Sequence, residues 1–213
     1  MIRAFLGGSF DPVHEGHVAM ARHVLSKGLA DMVHVVPAWL SPHKNQAAAS
    51  VAHRLAMVRL AFPESPDLQI DTWEIDRGRS CYTVDTMRAL QKSHAGDDWV
   101  LVIGADNLAN FDRWHRPEAL QRLAKIAVLG RDGHETSLAV VQAKGLLAER
   151  VLSEPGFDQP VSSTAVRAML RAGPASAKQL VAGGIPAAVA RYIVTHKLYF
   201  PDQNGETRVP DPD

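Results

Sequence analysis

Directly after the apolar run Ile2–Leu6 the chain reads Gly7-Gly8-Ser9-Phe10-Asp11-Pro12-Val13-His14-Glu15-Gly16-His17. Ile2, Ala4, Phe5 and Leu6 suit a short buried strand, and the paired glycines end it in a turn that side chains would obstruct. Val18, Ala19, Ala21, Val24 and Leu25 then recur at helical spacing, which predicts a helix starting near Gly16. Strand, glycine turn and helix start in that order leave backbone N–H groups open at the turn, a favourable place for phosphate. His14 and His17 stand three apart at this helix start, so both imidazoles can face one anion. The segment reads as a nucleotide-phosphate cradle holding two histidines.

Glu15, between the histidines, invites comparison with a zinc protease, but that motif needs histidines four apart on one helix and this segment is one residue short. A Walker loop and a Gly-x-Gly-x-x-Gly fingerprint are both missing from the sequence. The remaining alternative is an ordinary βα turn with surface histidines. His-x-Gly-His directly after the turn argues against it.

The 213 residues suit one domain over 1–200, helical from about 162, with a disordered tail at 201–213 that is polar and proline-rich. At 46% apolar and 22% charged the chain can bury a real core. Lys+Arg and Asp+Glu balance at 23 each, so no broad basic field draws nucleic acid, although a local cluster can hold a small anion. Cys81 is the only cysteine, which excludes a disulfide framework, and it is expected as a small apolar core residue. No apolar run approaches the ~20 residues of a membrane helix, and Gly7-Gly8 interrupts any secretory pattern. A cytoplasmic protein is expected, and a homo-oligomer is compatible with the sequence.

Apolar runs at Ile2–Leu6, Met32–Pro37, Trp99–Ile103 and Lys125–Leu129, with a weaker one at Leu68–Ile70, alternate with helical patterns near His17–Ser26, Val51–Ala61, Thr83–Lys92 and Glu118–Leu123. Ser50 looks like the N-cap of the second helix. This alternation predicts an α/β fold: a doubly wound, Rossmann-like parallel sheet with helices on both faces and a small C-terminal helical segment. Ligands of such sheets sit beyond the carboxyl ends of the strands.

Three further segments fall at that rim. Pro37-Ala38-Trp39-Leu40-Ser41-Pro42-His43-Lys44 is an irregular loop after the second strand, and its lysine can neutralise phosphate charge. Ile103-Gly104-Ala105-Asp106 ends a strand: glycine admits a ligand to the backbone, and the carboxylate can accept both hydroxyls of a ribose. Trp114, in Phe111-Asp112-Arg113-Trp114-His115, offers an indole face to a planar, especially cationic, ring. Ser162-Ser163-Thr164-Ala165-Val166-Arg167 marks a capped helix start able to bind phosphate oxygens, with the Arg167 guanidinium along the same face as Ser163. Each segment alone is also compatible with an ordinary loop or capped helix. Together they point to a nucleotide.

These segments resemble the nucleotidyltransferases that carry His-x-Gly-His and, among them, bacterial nicotinate-nucleotide adenylyltransferase. The match runs in family order through the first glycine turn, Pro42-His43-Lys44, Ser80–Thr86, Gly104-x-Asp106, Phe111-x-x-Trp114-His115 and Ser162–Arg167. Tyr82-Thr83 and Trp114 narrow it to the pyridine-nucleotide branch. The resemblance implies adenylyl transfer from ATP to nicotinate mononucleotide, giving deamido-NAD and pyrophosphate without a covalent enzyme intermediate. It implies that His14, His17, Lys44 and Arg167 are catalytic. Gly7, Gly8, Ser9, Phe10, Gly104, Asp106, Ser162 and Ser163 would join His14, His17 and Arg167 in binding ATP. Asp11, Lys44, Thr83, Trp114 and His115 would bind the mononucleotide, Asp11 by ordering the loop, by contacting the nucleotide or by both. Mg2+ is expected to arrive on the ATP phosphates, with no metal site in the protein itself. Cys81, between Ser80 and Tyr82, departs from the family's Ser-Tyr-Thr, and the tail after Phe200 has no family counterpart.

Two other kinds of protein compete with this reading. Another enzyme of the same superfamily, specific for nicotinamide mononucleotide, for phosphopantetheine or for a phosphorylated alcohol, would share the phosphate motifs; the latter two would lack a reason for the Thr83 and Trp114 pair. A non-catalytic nucleotide sensor would need neither His17 nor a converging Lys44 and Arg167.

Overall fold

The computed structural model describes residues 1–42, 46–130, 138–154, 157, 159, 161–173 and 175–201. Strand β1 (Ile2–Gly8) runs into helix α1 (Glu15–Ser26), followed by β2 (Met32–Pro37), α2 (Val51–Ala61), β3 (Leu68–Ile70), α3 (Trp73–Asp76) and α4 (Thr83–Ser93). The second half continues with β4 (Asp98–Gly104), α5 (Ala105–Leu108), α6 (Pro117–Leu123), β5 (Lys125–Leu129), α7 (Leu138–Ala143), β6 (Val151–Glu154), α8 (Ser163–Arg171), α9 (Ala177–Ala182) and α10 (Ala187–Thr195). The six strands are all parallel, in the order β3-β2-β1-β4-β5-β6.

Alternation along each strand divides the interior into two layers. Ala4, Leu6, Val33, Val35, Val100, Val102, Ala127 and Leu129 pack with Val18, Val24, Met57, Leu170 and Ile193 of α1, α2, α8 and α10. Phe5, Val36, Leu101, Ile103, Ile126 and Val128 face the opposite layer, built by Val84, Met87, Leu90 and Leu120 of α4 and α6. Helix starts are marked by local chemistry. Ser50 accepts from the His53 N–H at 3.4 Å, and Ser162 accepts from the Ala165 N–H at 3.2 Å.

The order of the strands reverses between β1 and β4, and there the sheet opens. These neighbours pair from Ile2–Asp98 to Phe5–Leu101, then separate. Leu6, Gly7 and Gly8 on one side, and Val102, Ile103 and Gly104 on the other, line the crevice left between their carboxyl ends. That is where a doubly wound sheet takes its ligand.

Candidate active site

A cavity of about 500 Å³ occupies this crevice. It brings together Gly7, Gly8, Ser9, Phe10, His14 and His17 around the first turn, Thr83 at the start of α4, Gly104 at the end of β4 with Asp106, Trp114 and His115 after it, and Ser162 and Ser163 at the start of α8 with Arg167 along it. Residues up to 160 positions apart in sequence thus share one lining.

The two imidazoles face each other at 3.7 Å between ring centres, tilted by 30°, and Phe10 meets His17 edge-on at 4.8 Å. The His14 N–H donates to His17 Nδ1 at 3.2 Å. A backbone amide can only donate, so the proton of the neutral His17 ring belongs on Nε2. Gly16 allows this packing: a methyl group there would come within 2.9 Å of His14 Nδ1. One amide expected to be open for phosphate is occupied, because the Glu15 N–H donates to the Gly184 carbonyl at 2.8 Å.

Helix α8 is fastened to the same turn by two side chains. Ser163 Oγ donates to the Pro12 carbonyl at 2.9 Å, and the Arg167 guanidinium donates to the Asp11 carbonyl at 2.6 Å. Both carbonyls belong to the turn that leads into the histidines, and the guanidinium and the imidazoles line the same cavity. Across the cavity, a methyl group at Gly104 would fall 2.5 Å from Asp106 Oδ1, so a side chain there would make that carboxylate turn away. At the far end Tyr82 stacks on His115 at 4.1 Å, and half-buried Trp114 rests against Phe111 at 5.4 Å. Buried Glu74 also lines this cavity.

A cytidylyltransferase-like family model matches residues 5–169. A protein of Bordetella avium that carries the name "probable nicotinate-nucleotide adenylyltransferase" is 41% identical over 198 residues, spanning 92% of this chain and 96% of its own length. The Bordetella petrii protein of the same name is 37% identical over 196 residues, spanning 91% and 96%. The chain belongs to the nicotinate-nucleotide adenylyltransferase family. Its fold is shared by the solved nicotinic acid mononucleotide adenylyltransferase of Plasmodium falciparum complexed with NaAD, with a TM-score of 0.78 at 16% identity over 93% of this chain and 97% of that one.

This member of the nicotinate-nucleotide adenylyltransferase family departs from the sequence expectations at several positions. Asp11 is not in the cavity lining. Its carboxylate is buried and accepts from the Ala48 N–H at 2.7 Å, the Ala49 N–H at 3.1 Å and the Tyr199 hydroxyl at 2.9 Å. These bonds order the loop, one of the roles the sequence left open for Asp11. Cys81 is not a core residue: it lines the cavity, and burial, with Glu74 nearby, pushes its thiol pKa up. His43, Lys44 and residues 202–213 lie outside the described residues.

Sequence reasoning missed Arg54. Its side chain is 1% exposed and donates to the carbonyls of Ser9 at 2.8 Å, Ala38 at 2.7 Å and Trp39. One guanidinium thereby clamps the loops that follow β1 and β2. The signal was present, since Arg54 stands three, four and seven residues before buried Met57, Val58 and Ala61 and so occupies the apolar face of α2. Among the described residues, no group of three or more His, Cys, Asp or Glu side chains is placed to hold a metal, and no helix is long and apolar enough to cross a membrane.

Proposed function

We infer that this protein joins the adenylyl group of ATP to nicotinate mononucleotide, giving deamido-NAD and pyrophosphate in NAD biosynthesis. The observation that carries this reading is the convergence of the paired histidines, the Arg167 helix, Gly104-Asp106 and the Thr83–Trp114 end on one cavity at the strand-order reversal. An oxygen of the mononucleotide 5′-phosphate attacks the α-phosphorus of ATP in line. The bond from that phosphorus to the oxygen leading to the β-phosphate breaks, and pyrophosphate leaves with the electron pair. The attacking phosphate is already ionised at neutral pH, so alignment and charge stabilisation are the tasks left to the protein.

His17 presents Nε2–H to an oxygen of the α-phosphate, and its Nδ1 is held by the His14 amide. His14 binds ATP phosphate beside it, over the turn of Gly7, Gly8, Ser9 and Phe10. Arg167 and Lys44, with Ser162 and Ser163, receive the departing pyrophosphate. Gly104 and Asp106 hold the adenosine ribose. Trp114 covers the pyridine ring, while Thr83 and the backbone at His115 take its carboxylate. The lining supplies imidazoles, hydroxyls and a guanidinium, donors that suit phosphate oxygens. Magnesium carried on the ATP phosphates would supply further charge neutralisation. We place the reaction in the cytoplasm, where ATP is at hand.

Pyrophosphate release from ATP, followed with purified protein and a panel of acceptors, tests this directly. Nicotinate mononucleotide should support turnover and phosphopantetheine should not. Turnover with phosphopantetheine alone reverses the assignment.

A further inference from the structure

Glu74 puts an acid into a wall otherwise furnished for anions. It belongs to α3, is 5% exposed, and lines the cavity with Cys81, Tyr82 and Thr83. Its hydrogen bond is accepted from Thr86 Oγ1 at 2.7 Å. Thr86 follows Thr83 by three residues in α4, so the Glu74 carboxyl stands within about one helical turn of the hydroxyl assigned to the nicotinate carboxylate. With the Thr86 hydroxyl donating to Oε1, a proton on Oε2 is the one a bound pyridine substituent could accept.

We propose that Glu74 selects between acid and amide at the pyridine ring, its protonated carboxyl donating to nicotinate and its ionised form repelling nicotinate while accepting from a nicotinamide N–H. This rests on the adenylyl-transfer reading. Burial pushes the Glu74 pKa up to about 7; the Thr86 hydroxyl opposes the rise and the Asp71 carboxylate adds to it. The titratable groups around it are Asp71 ahead of α3 and Cys81 in the turn before α4, with Arg77 and Arg79 acting on that thiol. An incoming carboxylate holds the proton on Glu74 more firmly, so nicotinate binding and protonation favour each other.

The test compares kcat/KM for nicotinate and nicotinamide mononucleotides between pH 6 and pH 8 in the wild-type protein and in Glu74→Gln. Titrations common to both substrates, the phosphates and histidines included, cancel in the ratio. In the wild type the acid-over-amide ratio should fall across this range, by about tenfold where the Glu74 proton governs nicotinate alone and by up to about a hundredfold where nicotinamide also needs the ionised form, the limits for one coupled proton with a pKa near 7. Glu74→Gln keeps the acceptor for Thr86 and a permanent N–H donor, so its ratio should be flat. A wild-type ratio that does not change with pH, or a Glu74→Gln ratio that still falls as the wild type does, overturns the proposal. Thr86→Val, which removes the donor to Oε1, provides a second arm should Glu74→Gln fail to fold. The pH at which selectivity is lost should move upward, and an unmoved midpoint contradicts the proposal. If neither mononucleotide is adenylylated, the adenylyl-transfer reading itself fails and this inference falls with it; turnover of both at a constant ratio refutes the Glu74 role alone.

Discussion

The Arg167 guanidinium donates to the backbone carbonyl of Asp11 at 2.6 Å, joining residues 156 positions apart. Ser163 makes the parallel bond to Pro12 at 2.9 Å. The guanidinium proposed to receive phosphate is thus fastened to the first glycine turn. Pre-organisation of this kind avoids reorganisation when charge develops on the phosphoryl oxygens.

Arg167→Ala should therefore lower kcat/KM for ATP by roughly 10²–10³, the usual cost of one well-placed donor in transition-state stabilisation. Arg167→Lys should recover only part of the loss, because an ammonium lacks the fork that serves the Asp11 carbonyl and a phosphate together. Steady-state kinetics of both variants check this, and full activity in Arg167→Ala removes the residue from the mechanism.

His17→Ala should lower kcat by a similar ~10²–10³ while the KM for ATP moves little, since its Nε2–H donor acts mainly as charge develops. A raised KM with unchanged kcat would make His17 a ground-state ligand instead.

Arg54→Met should lose about 3 kcal/mol or more of stability, because three carbonyls from two loops are left without their buried donor. Thermal or denaturant unfolding measures this. The same variant should weaken ATP binding, since Ser9 and Ala38 line the cavity through those loops.

The Asp11–Tyr199 bond makes a separable claim. Tyr199→Phe removes the hydroxyl donor and should cost about 1–2 kcal/mol. In a double-mutant cycle with Asp11→Asn the two changes should couple; strict additivity would show that the carboxylate does not depend on the phenol.

Glu74 carries a pH dependence of stability whose sign is fixed. Its folded pKa of about 7 lies above the ordinary 4.5, so folding favours the neutral carboxyl. That contribution is complete below pH 4.5 and is lost as pH rises through about 7. Glu74→Gln should gain up to about 3 kcal/mol over the wild type at pH 8 relative to the difference between them at pH 4. Parallel unfolding curves for the two proteins at both pH values decide it.

Several elements were legible because each depends on a local pattern. The runs Met32–Pro37, Val51–Ala61, Leu68–Ile70 and Lys125–Leu129 form elements with the expected bounds, since apolar residues at strand spacing or a serine cap mark them. Strand β6 was not foreseen: Val151–Glu154 has four residues ending in Ser153 and Glu154, and its pairing with β5 makes it a strand. Helices α3 and α5 are single turns too short for any periodic signal. In the site, histidines, glycines and serines announce themselves by spacing. Asp11 and Glu74 act through backbone groups or burial supplied by distant segments, which no spacing encodes; for Arg54 the spacing gives its place on the apolar face of α2 but not the three carbonyls it reaches.

The central claim is that one cavity joins an adenylyl group to a pyridine mononucleotide. ATP labelled at its α-phosphate, incubated with nicotinate mononucleotide and the protein, should transfer the label to a dinucleotide in step with pyrophosphate release. Label that remains in ATP, or appears in ADP or free AMP with no dinucleotide formed, would contradict the account.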